Sequence, residues 1–66
     1  MTSVKITVQH LPADEHEEYH VSDDGQEYDD SSFEGSQDAI EDVEDRAEHY
    51  KTLGYRVLLE LPGWMK

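Results

Sequence analysis

Forty consecutive residues, from Ile6 to Asp45, contain fifteen Asp or Glu and no Lys or Arg. In a chain of 66 residues that run is most of the protein. Like charges repel, and a compact state concentrates the repulsion. Folded surfaces usually intersperse both signs. A chain that does not is disordered, adapted to high salt, or presents a negative surface to something positive. The apolar patterning within and around the run has to choose among the three.

At this length the chain holds one domain with one thin core layer. A formal net charge of -12 excludes a general binder of nucleic acid or of anionic membrane, which are themselves negative. There are no cysteines, so no disulfide framework and no Cys-ligated zinc is expected. Met1 to Ile6 shows no apolar leader, and no stretch approaches the ~20 apolar residues of a membrane span. A cytoplasmic setting is expected. With 35% hydrophobic and 33% charged residues, composition leans toward disorder.

The pattern argues otherwise. Val4, Ile6 and Val8 alternate with Lys5, Thr7 and Gln9, predicting a strand over 3–10 that Leu11-Pro12-Ala13-Asp14 ends. Tyr19 and Val21 alternate with Glu18 and His20. Ser22-Asp23-Asp24-Gly25 then reads as a turn into a short return strand, Gln26 to Asp29, carrying Tyr28. Ile40, Val43, Ala47 and Tyr50 mark one face of a helix over 37–53. Ser36 is its expected N-cap; Asp38, Glu41 and Asp42 suit its positive end; Arg46, His49 and Lys51 fall in its second half; Gly54 closes it. Tyr55, Val57, Leu59 and Leu61 predict a strand over 55–61, ended by Pro62-Gly63. Matched start and stop signals on the helix speak against disorder.

The expected fold is α+β: a small sheet of three to four mainly antiparallel strands with one helix on one face, in the order β-β-β-α-β. A single acidic domain spans 1–61, with a short tail at 62–66. The expected core is Val4, Ile6, Val8, Tyr19, Val21, Ile40, Val43, Ala47, Tyr50, Val57, Leu59 and Leu61.

Three kinds of chemistry have residues to consider. His16 and His20 have the i, i+4 spacing that holds zinc on a helix, but the Tyr19/Val21 alternation places them on a strand; with His10 and His49 they read as exposed histidines on an acidic surface. Asp30 to Glu41 resembles an EF-hand calcium loop, with oxygen ligands at positions 1, 3, 5, 9 and 12 and Gly35 at the sharp turn. It departs from that family at Gln37, where an aliphatic residue is usual, in lacking an entering helix, and in having no second copy. No cofactor or metal is therefore expected. Catalysis lacks a nucleophile motif, a phosphate-cradling glycine loop and a core thick enough to enclose a cleft, so an enzyme is not expected.

The acidic surface remains. On the expected helix Glu41, Asp45 and Glu48 form one carboxylate row, and Asp38 and Asp42 another, with neighbours roughly 5–6 Å apart at Cβ. That spacing is comparable with successive phosphates of a nucleic-acid strand. Loops add Asp14, Glu15, Glu17 and Glu18, then Asp23, Asp24, Glu27, Asp29, Asp30 and Glu34. A solvated helix face usually carries lysines in i, i+4 pairs; here only Arg46 and Lys51 do. Acids spread evenly would fit high-salt adaptation, but residues 1–5 and 49–66 hold four of the five bases and, of the acids, Glu60 alone.

In size, charge and α+β layout over its full length, the chain resembles the compact acidic proteins that phages use against host defences, notably anti-CRISPR proteins and DNA mimics. The resemblance carries no functional residue across. It implies an inhibitor that occupies the positively charged DNA- or RNA-binding surface of a host complex such as a CRISPR effector, in the host cytoplasm. The expected contacts are Glu41, Asp42, Asp45, Glu48 and Asp38 on the helix, with Asp23, Asp24, Asp29 and Asp30 on the loops. The expected partner is a basic nucleic-acid-binding protein, with no direct nucleic acid and no membrane; the chain itself is expected to be a monomer or weak homodimer. The alternative is an acidic interaction or regulatory module without mimicry, for which Leu58, Trp64 and Met65 offer an apolar anchor.

Overall fold

The alternation of Val4, Ile6 and Val8 does what a half-buried strand requires, since all three side chains are buried on one face of β1 (Ser3–Pro12). In the computed structural model, which describes residues 2–12 and 17–63, β1 has strand neighbours on both sides. β2 (Glu17–Asp23) pairs antiparallel with β1, and β3 (Ser31–Phe33) antiparallel with β2. Helix α1 (Ser36–Thr52) then carries the chain across the sheet to β4 (Arg56–Glu60), which lies parallel to β1. A parallel pair needs such a crossover. The sheet order is β3-β2-β1-β4, and the fold is the expected α+β arrangement.

Two strands differ from expectation. β1 runs through Pro12 rather than stopping at residue 10. Lys5 exchanges backbone and side-chain bonds with Asp24, so odd residues of β1 turn their backbone polar groups toward the β2 side. Pro12, an even residue, turns its missing N–H the other way, beyond the last β4 pairing at Thr7↔Glu60, and no ladder bond is lost. The same extension puts Glu17 and Glu18 in β2 rather than in a loop. The return strand expected over Gln26 to Asp29 does not form. That segment is a string of bends, and the third strand is Ser31–Phe33, paired as Tyr19↔Phe33 and Val21↔Ser31.

The helix ends are close to where they were expected. Gly35, extended at φ -105 and ψ 139, holds the N-cap position, which makes Ser36 the first helical residue and not the cap. At the other end Gly54 has φ 90, Tyr55 N–H donates to Tyr50 O at 2.9 Å, and Gly54 N–H to Lys51 O at 3.0 Å. The Tyr50 and Tyr55 rings stack at 5.3 Å. Both bonds and the ring contact are those of a Schellman closure.

The helix face is turned by about one residue from the expected one. Ala39, Val43, Arg46 and Tyr50 are buried against the sheet, while Ile40 and Ala47 lie at its margin. Leu59, expected in the core, is 50% exposed. It faces the helix side, but β4 is the edge strand and α1 covers Leu59 only in part. A shallow groove lined by Ile40, Val43, Glu44, Leu59 and Leu61 marks the shortfall.

Candidate functional site

Register explains the charge found in the core. Opposite residues of an antiparallel pair share a face, and β1–β2 pairs Ile6 with Asp23, Val8 with Val21 and His10 with Tyr19. Asp23 therefore continues the inward series Tyr19, Val21 and enters the layer under α1. Arg46 sits on the apolar stripe of the helix between Val43 and Tyr50 and meets it there. Both side chains are 0% exposed.

The pair shares a network of hydrogen bonds. Arg46 Nη1 donates to Asp23 Oδ2 at 2.6 Å and Nε to Asp42 Oδ2 at 2.7 Å. Its Nη2 donates to Asp29 O at 2.6 Å and to Ser31 Oγ at 3.2 Å. The Tyr28 ring lies 5.2 Å from the guanidinium carbon. Asp23 Oδ1 accepts from Tyr50 O–H at 2.8 Å and from Gly25 N–H at 2.9 Å. Burial works against the Arg46 charge, but hydrogen bonds to Asp42 and Asp23 outweigh it and hold its pKa above the ordinary value. Burial first, then the bond to Asp23, raises the Tyr50 pKa above 10.0.

This seam draws in the loop over residues 24–30. Glu27 N–H donates to Tyr50 Oη at 3.3 Å, and the Tyr28 ring packs edge-on against His49 and Tyr50. Gly25 lies so close to the Tyr50 ring that a Cβ there would come within 2.7 Å of Cε1 and Cζ.

Withdrawing Arg46 leaves the outside of α1 more acidic than the sequence shows. Asp38, Glu41, Glu44, Asp45 and Glu48 are exposed along it, against Lys51 as the exposed base. Glu44 was not among the expected contacts, although its spacing with Glu41 and Glu48, three and four, places it in their row. Asp42 belongs to the flank rather than the crest, 21% exposed and bound to Arg46. The Asp23 side chain is off the surface, its carboxylate spent on the seam. Asp24, Asp29 and Asp30 are exposed; the Asp24 carboxylate also accepts the Lys5 N–H at 2.8 Å, and Asp29 serves Arg46 through its carbonyl. Bases lie elsewhere, with Lys5 paired to Glu60 at 2.6 Å on the open sheet face and Arg56 exposed on β4.

The histidines serve local contacts. His20 lies 2.8 Å from Glu18, His49 3.4 Å from Glu27, and His10 stacks on Tyr19 at 4.8 Å. His16, Asp14, Glu15, Trp64 and Met65 fall outside the described residues. The segment Asp30 to Glu41 is divided between β3 and the first turns of α1 rather than wrapped as a calcium loop, and no three metal-ligating side chains converge among the described residues. No described helix is long and apolar enough to cross a membrane. Comparisons with protein-family models, with curated proteins and with solved structures find no significant match.

Proposed function

We propose that the outer face of α1 is a nucleic-acid-like surface that occupies the positively charged groove of a nucleic-acid-binding protein. One observation carries the reading: five carboxylates stand exposed on a single helix whose central cation is folded inside. Glu41, Glu44, Asp45 and Glu48, with Asp38, form the contact, and the exposed Asp24, Asp29 and Asp30 extend it. Asp42 contributes from the flank. A Lys/Arg-lined groove gains from such a face what it gains from phosphates, the release of bound counterions. The chain acts by binding and not by catalysis. A host-defence complex such as a CRISPR effector is the target class that the resemblance to phage anti-CRISPR proteins implies.

Affinity capture from a candidate host lysate at low and at high salt identifies the target, which is then loaded with labelled duplex DNA. The protein is expected to displace the duplex, with displacement weakening steeply as salt rises. The variant Glu41→Lys/Asp45→Lys keeps its helical circular dichroism and loses displacement. Full displacement by that variant removes the helix face from the contact. A captured partner that holds no duplex supports the acidic module without mimicry, docked through the apolar edge of β4.

A further inference from the structure

The acidic face is not the only surface left unpartnered. β4 is an edge strand, and its sequence, Arg56-Val57-Leu58-Leu59-Glu60, reads as its own complement when reversed. Placed antiparallel to a copy of itself about Leu58, it sets Arg56 opposite Glu60 twice, Val57 opposite Leu59 twice, and Leu58 opposite Leu58. We propose that this edge pairs with β4 of a second copy of the chain, joining two four-stranded sheets into one of eight strands.

Backbone phase agrees with that register. Arg56 N–H donates to Thr2 O at 2.9 Å, so Arg56, Leu58 and Glu60 turn their polar groups toward β1. Val57 and Leu59 turn theirs to the edge that has no strand neighbour among the described residues. In the proposed register Val57 and Leu59 of the two copies are directly opposite, the arrangement in which a pair exchanges both of its hydrogen bonds. Leu58 then forms a non-hydrogen-bonded pair, in which facing side chains come closest. Shifting the register by one residue in either direction loses the Arg56–Glu60 crossing.

Side chains supply the reason to pair. Leu58 is 47% exposed on the open sheet face, and Leu59 is half exposed beside the groove on the helix side. Arg56 makes no ion pair among the described residues, and Glu60 already holds Lys5, so an incoming arginine would complete a three-membered network. Edges are commonly guarded against pairing by charged side chains or proline, and β4 carries one charge of each sign, Arg56 and Glu60. Opposite charges placed symmetrically about a leucine attract instead. The charge distribution also restricts the choice, because a chain of net charge -12 can approach itself only where acids are scarce: on the open sheet face β4 sets Glu60 beside Lys5 and Arg56, and Glu44 lines the groove on the helix side.

A strand pairing of this size makes a small, weak interface. Sedimentation equilibrium up to about 1 mM protein, the weak end of specific association, is the test. It is run in about 0.5 M salt, which screens repulsion to within a few ångströms. The mean mass is expected to rise with concentration toward that of a dimer. Arg56→Glu should weaken association about tenfold or more, as should Glu60→Arg. Mixed together, the two variants restore both crossings and should form the heterodimer. Leu58→Lys, a change at an exposed position that leaves the monomer folded, should abolish association. A monomer mass throughout, or a rise that Arg56→Glu leaves untouched, overturns the proposal. So does failure of the mixed variants to associate better than either alone. None of these substitutions touches the acidic helix face, so the outcome is independent of displacement by that face.

Discussion

The two sides of α1 use the same residue types to opposite ends. On the inner side one arginine meets Asp23 and Asp42 at 2.6 and 2.7 Å, with Nη2 on Asp29 O and Ser31 Oγ. On the outer side five carboxylates stand in water with Lys51 as the exposed counter-charge. Buried charge has to be paired, because an unpaired ion out of water is costly. Exposed charge has no such constraint, and nothing in the fold requires it to be so lopsided. The inner carboxylates therefore answer to the fold, and the outer ones make the face proposed above for a partner.

The comparison breaks most sharply at Arg46. Arg46→Met leaves Asp23 buried without its cation, at an expected cost of about 3–5 kcal/mol. A domain this size has roughly 3–10 kcal/mol to lose, so urea denaturation should show a large drop in midpoint, the largest of the variants considered. Adding Asp23→Leu removes the orphaned charge and should recover much of the loss. If the double variant is no more stable than the single one, the damage does not come from the orphaned carboxylate.

A smaller loss is expected at Gly25, where the loop passes over Tyr50. Gly25→Ala drives a methyl group into the ring, and the loop has to lift, at about 1–3 kcal/mol by thermal denaturation. An unchanged melting temperature would show that the loop adds nothing to the seam.

Of similar size is Tyr50→Phe, which deletes the hydroxyl donated to Asp23, at about 1.5–3 kcal/mol. This variant also carries a pH signature. The folded state holds the Tyr50 proton more tightly than the unfolded chain, whose tyrosine titrates near 10.0. The stability it contributes is thus complete below that pH and is lost as pH rises through the elevated folded value. Denaturant midpoints at neutral and alkaline pH should fall for the wild type and fall less for Tyr50→Phe. Some slope should remain, because the bond to Glu17, then burial, raises the Tyr19 pKa too.

How much of this was legible beforehand follows from what each signal depends on. β1 and α1 carry long periodic patterns with terminal residues such as Gly54, and both appear within two residues of their expected bounds. β3 had no comparable signal, since Ser31-Ser32-Phe33 offers one apolar side chain and two hydroxyls, and Tyr28 drew the expectation toward the preceding loop. Asp23 was hidden by its chemistry: the Tyr19/Val21 alternation points to it as the next inward residue, but a carboxylate reads as the start of a turn. Arg46 was hidden in the same way. Its spacing from Val43 and Tyr50 puts it on the apolar stripe, and only the pairing of two such misfits across helix and sheet accounts for both. Leu59 has the right parity and the wrong place in the sheet, which no local pattern encodes. Of the outer carboxylates, Glu41, Asp45 and Glu48 could be read from spacing, whereas Glu44 was passed over and the bond to Arg46 draws Asp42 to the flank.

The central claim is that the outer carboxylates contribute nothing to folding. Urea denaturation of Glu41→Gln/Asp45→Gln/Glu48→Gln beside the wild type, at low and at high salt, tests it most directly. Relief of repulsion should make the variant the more stable of the two at low salt, by up to about 1 kcal/mol, and screening should bring the two curves together at high salt. A variant less stable than the wild type at both salt concentrations would mean that those carboxylates hold the fold together, and would contradict the account.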